Sequence, residues 1–93
     1  MYKIEVTNAV KKDIKNLSKN IQAKINDIFL TLTKNPELGE RLSGEFYDCF
    51  SIHFKVYNIQ YRIIYKVYNN ELIILVILVG TRENIYKQLK RRT

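Results

Sequence analysis

The chain has 93 residues, 46% of them hydrophobic, and a formal net charge of +7. That length fits one domain, 1–93, with one core covering roughly 60–65% of the unfolded surface, and the apolar content excludes a disordered chain. Cys49 is the only cysteine, which excludes an intrachain disulfide and fits a reducing cytoplasm. The longest apolar run, Leu72–Val79, is too short to span a bilayer. The start, MYKIEVTN, lacks the charged-then-apolar layout of a signal peptide. The expectation is a chain without a leader or a membrane. The positive field favours polyanions, and charge alone does not choose among nucleic acid, acidic protein and anionic surface.

Tyr2–Val6 alternates apolar and charged residues and reads as a first strand. Thr7 or Asn8 can cap the helix that follows, in which Val10, Ile14 and Leu17 recur at helical spacing. Ser18 to Asn20 ends that helix and starts another, with Ile21, Ile25, Ile28, Phe29 and Leu32 as one stripe. It stops before Asn35-Pro36, because the residue preceding proline is driven out of the α region. The loop from Glu37 to Gly44 is irregular, and a short strand is expected near Glu45.

From Phe50 the period becomes two. Phe50, Ile52, Phe54 and Val56 face the helices, while Ser51, His53 and Lys55 face away. After a turn near Tyr57-Asn58, Tyr61, Ile63, Tyr65 and Val67 share one face and Arg62, Ile64 and Lys66 the other. Asn69-Asn70 is expected to make the next hairpin through positive φ. Leu72–Val79, apolar on both faces, belongs inside a sheet. A last helix is expected over Arg82 to Lys90, with Ile85 and Leu89 inward and Lys90, Arg91 and Arg92 favoured by the dipole at its C-terminal end. The predicted class is α+β, a two-layer sandwich ordered β-α-α-β-β-β-α. A mostly antiparallel sheet packs on two N-terminal helices and is followed by a C-terminal helix.

The face away from those two helices gathers Ser51, His53, Lys55, Arg62 and Lys66, and the central strand delivers Arg82 and Tyr86 to one end of it. The i to i+4 spacing sets Arg82 and Tyr86 on one side of the expected helix. Such a groove suits RNA cleavage by the RNA's own 2′-hydroxyl. Arginine supplies a fixed donor fork for a phosphorane, histidine moves protons near neutral pH, and tyrosine stacks on unpaired bases. No metal or other cofactor is required. Each residue also has a plain structural reading: His53 on a strand, Arg62 on an exposed face, Tyr86 as core cover, and Lys11, Lys12, Lys15 and Lys19 as a solvated helix face.

Together the pieces AVKKDIKNL, NPELGERLSG, DCFSIHF, YRIIYKV, LIILVILVG, TR and IY resemble, over nearly the whole chain, the RelE/ParE superfamily of type II toxins. The RelE-like branch implies a ribosome-dependent messenger-RNA endonuclease. Arg62 and Arg82 would hold the scissile phosphate, Tyr86 would stack on a base or assist proton transfer, and Ser51, Lys55 and Lys66 would bind substrate. Many RelE relatives carry two lysines where this chain has Ser51 and His53. The resemblance then implies that His53 is the acid or base and that Lys55 compensates for Ser51. The ParE-like branch implies instead an inhibitor of DNA gyrase; a third alternative is a plain nucleic-acid-binding module. The implied partners are a protein antitoxin, the ribosome with its messenger RNA, and operator DNA through the antitoxin complex.

Overall fold

A computed structural model describes residues 1–83 and 85–92. The elements run β1 (Lys3–Val6), α1 (Asn8–Lys15), α2 (Lys19–Lys34), β2 (Glu40–Arg41), β3 (Phe50–Val56), β4 (Ile59–Tyr68), β5 (Ile73–Thr81) and α3 (Ile85–Arg92). The five strands form one sheet ordered β1-β5-β4-β3-β2. Every pairing is antiparallel except β1 with β5. The apolar strand β5 thus lies between two neighbours, as its two-sided hydrophobicity requires.

Local chemistry sets the boundaries. Thr7 Oγ1 accepts from the Val10 amide at 3.2 Å and caps α1, a bond of about 1 kcal/mol. The Gln22 amide donates to the Ile14 and Leu17 carbonyls and fastens α2 to the end of α1. Tyr57 and Asn58 take φ of 51° and 66° at the β3–β4 hairpin, as a tight hairpin turn demands.

Two cores result. Val10, Ile21, Ile25 and Leu32 from the helices pack on Phe50, Ile52, Phe54, Tyr61, Ile63, Tyr65, Ile74, Val76 and Val79. Each such buried aliphatic contributes roughly 1.5–3 kcal/mol. On the opposite face Ile85 and Leu89 of α3 join Cys49, Ile64, Ile77 and Leu78. A shift in register between Ile64/Tyr65 and β5 inserts Ile77 as an extra residue, so Ile77 and Leu78 both serve the second core.

Tyr65 pins the loop that follows α2: its hydroxyl donates to the Pro36 carbonyl and accepts from the Gly39 amide, both at 2.9 Å.

Four sequence expectations change. The short strand is Glu40–Arg41, and the region near Glu45 is a single 3-10 turn at Gly44–Phe46. In the second hairpin Leu72, not an asparagine, takes the positive φ, at 55°. The last helix begins at Ile85, leaving Arg82 in a bend after β5; Asn84, inside the expected helix, lies outside the described residues. Arg92 does more than complement a helix dipole, because its guanidinium pairs with Asp13 of α1 and donates to the Ile77 carbonyl.

Candidate functional site

Strand alternation aims His53, Lys55, Gln60 and Arg62 away from the α1–α2 core, because Ile52, Phe54, Tyr61 and Ile63 occupy it. Register then aligns them in two rows. His53 lies opposite Arg62, and Arg62 lies opposite Gly80. Lys55 lies opposite Gln60, whose carbonyl accepts from the Arg82 amide at 3.1 Å. That bond carries the β4–β5 ladder past Thr81, so Arg82 reaches the row beside His53 and Arg62 through the strand and not through a helix. The i to i+4 argument for Arg82 and Tyr86 therefore fails. Arg82 Nη1 also donates to Gln60 Oε1 at 3.4 Å.

Arg62 is half-buried, and its guanidinium carbon lies 5.9 Å from the centre of the Tyr86 ring, within cation–π range. Its buried Nε has no hydrogen-bond partner among the described residues. A buried donor without an acceptor costs free energy. Gly80 opposite carries no side chain, and a Cβ there would meet only Gln88 Oε1, at 3.7 Å. Space therefore remains over the Arg62 row. Tyr86 is half exposed, its ring stacked on Phe46 at 6.5 Å and 28°.

Three shallow cavities run along this side. One of about 370 Å³ is lined by Gly39, Glu40, Ser51 and His53, among others. The next, also about 370 Å³, is lined by His53, Phe54, Lys55 and Gln60. The third, about 480 Å³, is lined by Gln60, Thr81, Arg82 and Glu83 with the hairpin residues Asn58 and Ile59. His53 borders the first two and Gln60 the last two, so each cavity shares a residue with the next.

Two candidates do not present their polar groups to this face. Ser51 is only 1% exposed and its Oγ has no partner among the described residues; it lies below the surface and does not offer its hydroxyl to a polyanion. Lys66 stands four residues from Arg62, about 13 Å along the strand, and its ammonium pairs with Asp48 at 3.3 Å. Burial pulls the Lys66 ammonium down, but the bond and charge of Asp48 outweigh it and hold it above its ordinary value. Asp48 is shifted the other way: burial raises it, and Lys66 brings the net value below the usual carboxylate range.

Sequence reading passed over Gln60 and Phe46. Gln60 was accessible, since it sits two residues before Arg62 on the same alternating face. Phe46 was not, because the 3-10 turn that carries it has no periodicity to read.

Among the described residues no helix is long and apolar enough to cross a membrane, and no cluster of histidine, cysteine and acidic side chains could hold a metal ion.

No curated protein matches the sequence. Solved structures do match the fold. The chain superposes on a free mutant of the Escherichia coli toxin RelE with a TM-score of 0.80 at 20% identity, covering 99% of this chain and 98% of that one. The intact E. coli RelBE toxin–antitoxin complex gives 0.77 at 19% identity over 89% of this chain and 99% of that one. The RelBE2 complex of Mycobacterium tuberculosis gives 0.77 at 23% identity over 87% and 98%. At these identities the likeness is one of fold. The sequence itself matches the family profile described as ParE-like toxin of type II bacterial toxin–antitoxin system over residues 4–90. The chain belongs to that family of ParE-like type II toxins.

Proposed function

We propose that this toxin cuts translated messenger RNA on the ribosome, by attack of a ribose 2′-hydroxyl on the adjacent phosphodiester. The observation that carries this reading is the row formed by His53 and Arg62, with Arg82 in the neighbouring row. The 2′-oxygen bonds to phosphorus and the bond to the 5′-oxygen breaks, leaving a 2′,3′-cyclic phosphate and a 5′-hydroxyl. His53 carries one of the two proton transfers this needs. Arg62 and Arg82 aim donors at the non-bridging oxygens, where charge grows in the transition state. Lys55 adds positive potential on the same face, and Tyr86 stacks on the base beside the scissile link.

The partners proposed with this activity are the ribosome, its message and a protein antitoxin, since the solved RelBE complexes hold toxin and antitoxin together. Contact with operator DNA would run through the antitoxin, and the cytoplasm is the compartment where these partners meet.

The ParE name of the matching family favours a second reading, inhibition of DNA gyrase. Induction of the toxin separates the two. Messages with new 3′ ends and normal supercoiling support the nuclease; intact messages with blocked supercoiling support the gyrase inhibitor.

A further inference from the structure

We infer that the Asp13–Arg92 pair is a clasp that holds α3 on the sheet and thereby positions Tyr86 over the Arg62 row. Its catalytic consequence rests on the nuclease reading above; the clasp itself does not.

Few apolar side chains hold α3 on the sheet. It has eight residues and buries only Ile85 and Leu89. A helix of that length is marginal alone in water, so its docking depends on anchors. At its C-terminal end Arg92 grips Asp13 with both nitrogens, Nη2 to Oδ1 at 2.9 Å and Nη1 to Oδ2. The same Nη1 donates to the Ile77 carbonyl at 3.1 Å, and Asp13 Oδ2 also accepts from the Val79 amide at 3.1 Å.

The location explains the arrangement. β1 covers the edge of β5 only as far as Val76. Beyond it Ile77 and Val79 would turn bare backbone groups outward, and the two side chains replace the missing strand. Both are largely withdrawn from water, at 24% and 17% side-chain exposure. A forked, charge-assisted pair in such a place is stronger than an exposed one.

The clasp bears on the groove from two directions. Val79 adjoins Gly80, which faces Arg62. Tyr86 lies six residues before Arg92 on the same helix, about 9 Å along its axis. The described ring contacts of Tyr86 are the stack on Phe46 and the approach of Arg62, and neither fixes a helix by itself. Asp13 and Arg92 are therefore positioning residues, and neither is placed to touch RNA.

The lone cysteine supplies a reporter. Cys49 is 0% exposed in the core that α3 covers, so dithionitrobenzoate reaches it only when that core opens. Asp13→Asn, and the milder Arg92→Lys, should speed labelling of Cys49 about tenfold to a hundredfold below the melting transition, the scale of one lost charge-assisted bond. Ile25→Val loosens the other core and should leave labelling near the wild-type rate. Unchanged labelling in both clasp variants, or equal acceleration by Ile25→Val, would overturn the clasp. With RNA, Asp13→Asn should lower kcat about fivefold or more with KM within about twofold, and should cost nothing further in a Tyr86→Ala background. An undiminished loss in that background would overturn positioning through Tyr86. A wild-type protein that cuts no RNA would end the nuclease reading, while the labelling rates would still decide the clasp.

Discussion

His53 on β3 and Arg62 on β4 are direct antiparallel partners, facing away from the main core. An imidazole and a planar donor fork thus share one rung of the sheet, where strand register and not a loop sets their place. The register of β3 and β4 is set by the apolar residues on the other face. A slip of β3 by one residue against β4 would turn His53 into the core and expose Phe54.

Arginine geometry is the first consequence. Arg62→Ala and Arg82→Ala are each expected to lower the single-turnover cleavage rate by about 10²–10³. Arg62→Lys should recover little, since an ammonium cannot present the same fork. Because Arg62 Nε has no partner among the described residues, Arg62→Ala should change unfolding free energy by no more than about 1 kcal/mol. Cleavage within tenfold of wild type would remove the residue concerned from the site.

The proton transfer proposed for His53 makes a separate demand. His53→Ala is expected to cost on the order of 10²–10⁴ in kcat, with the fold intact because the side chain is exposed. A tenfold or smaller loss, read from the same time courses, would reduce His53 to a surface residue.

Two buried hydroxyls should respond in opposite ways. Tyr65→Phe breaks both bonds to the Pro36–Gly39 loop and should destabilise by about 1–3 kcal/mol in urea titrations. Ser51→Ala removes an Oγ that has no partner among the described residues and should be neutral or stabilising by up to about 1–2 kcal/mol. A cleavage loss above tenfold in Ser51→Ala would return that hydroxyl to the substrate groove.

Alkaline pH should weaken the fold. Burial pushes the Cys49 thiol up from 9.0 to about 11, with the Asp48 charge adding to it. A folded value above the unfolded one gives stability that is complete below pH 9.0 and lost as pH rises to about 11. The thiol's share is roughly 2–3 kcal/mol. Lys66, also raised, loses its share in the same direction as pH passes through its folded value. Melting temperatures between pH 8 and 11 should fall, and Cys49→Ala should flatten part of the slope. An unchanged slope in that variant would contradict a buried neutral thiol.

Much of this was written in the sequence because strand chemistry repeats every two residues. The alternation around His53 and Arg62 needed only one buried face to fix it, and the two-sided apolar β5 announced an interior strand. The shared helix face expected for Arg82 and Tyr86 does not form, because periodicity does not show that Thr81 and Arg82 continue the ladder and delay α3 to Ile85. The Asp13–Arg92 pair spans 79 positions and answers to an edge left bare by a short β1, which no local pattern encodes. Ser51 alternates correctly with His53 yet lies buried, paired with Ile64 of the second core.

The most direct test is cleavage of a ribosome-bound message carrying a single 2′-deoxyribose just before the mapped scissile phosphate. The account expects the all-ribose message to be cut to a 2′,3′-cyclic phosphate and the deoxy message to stay intact at that site. Equal cleavage of both would contradict attack by the 2′-hydroxyl, and with it the roles given to His53, Arg62 and Arg82.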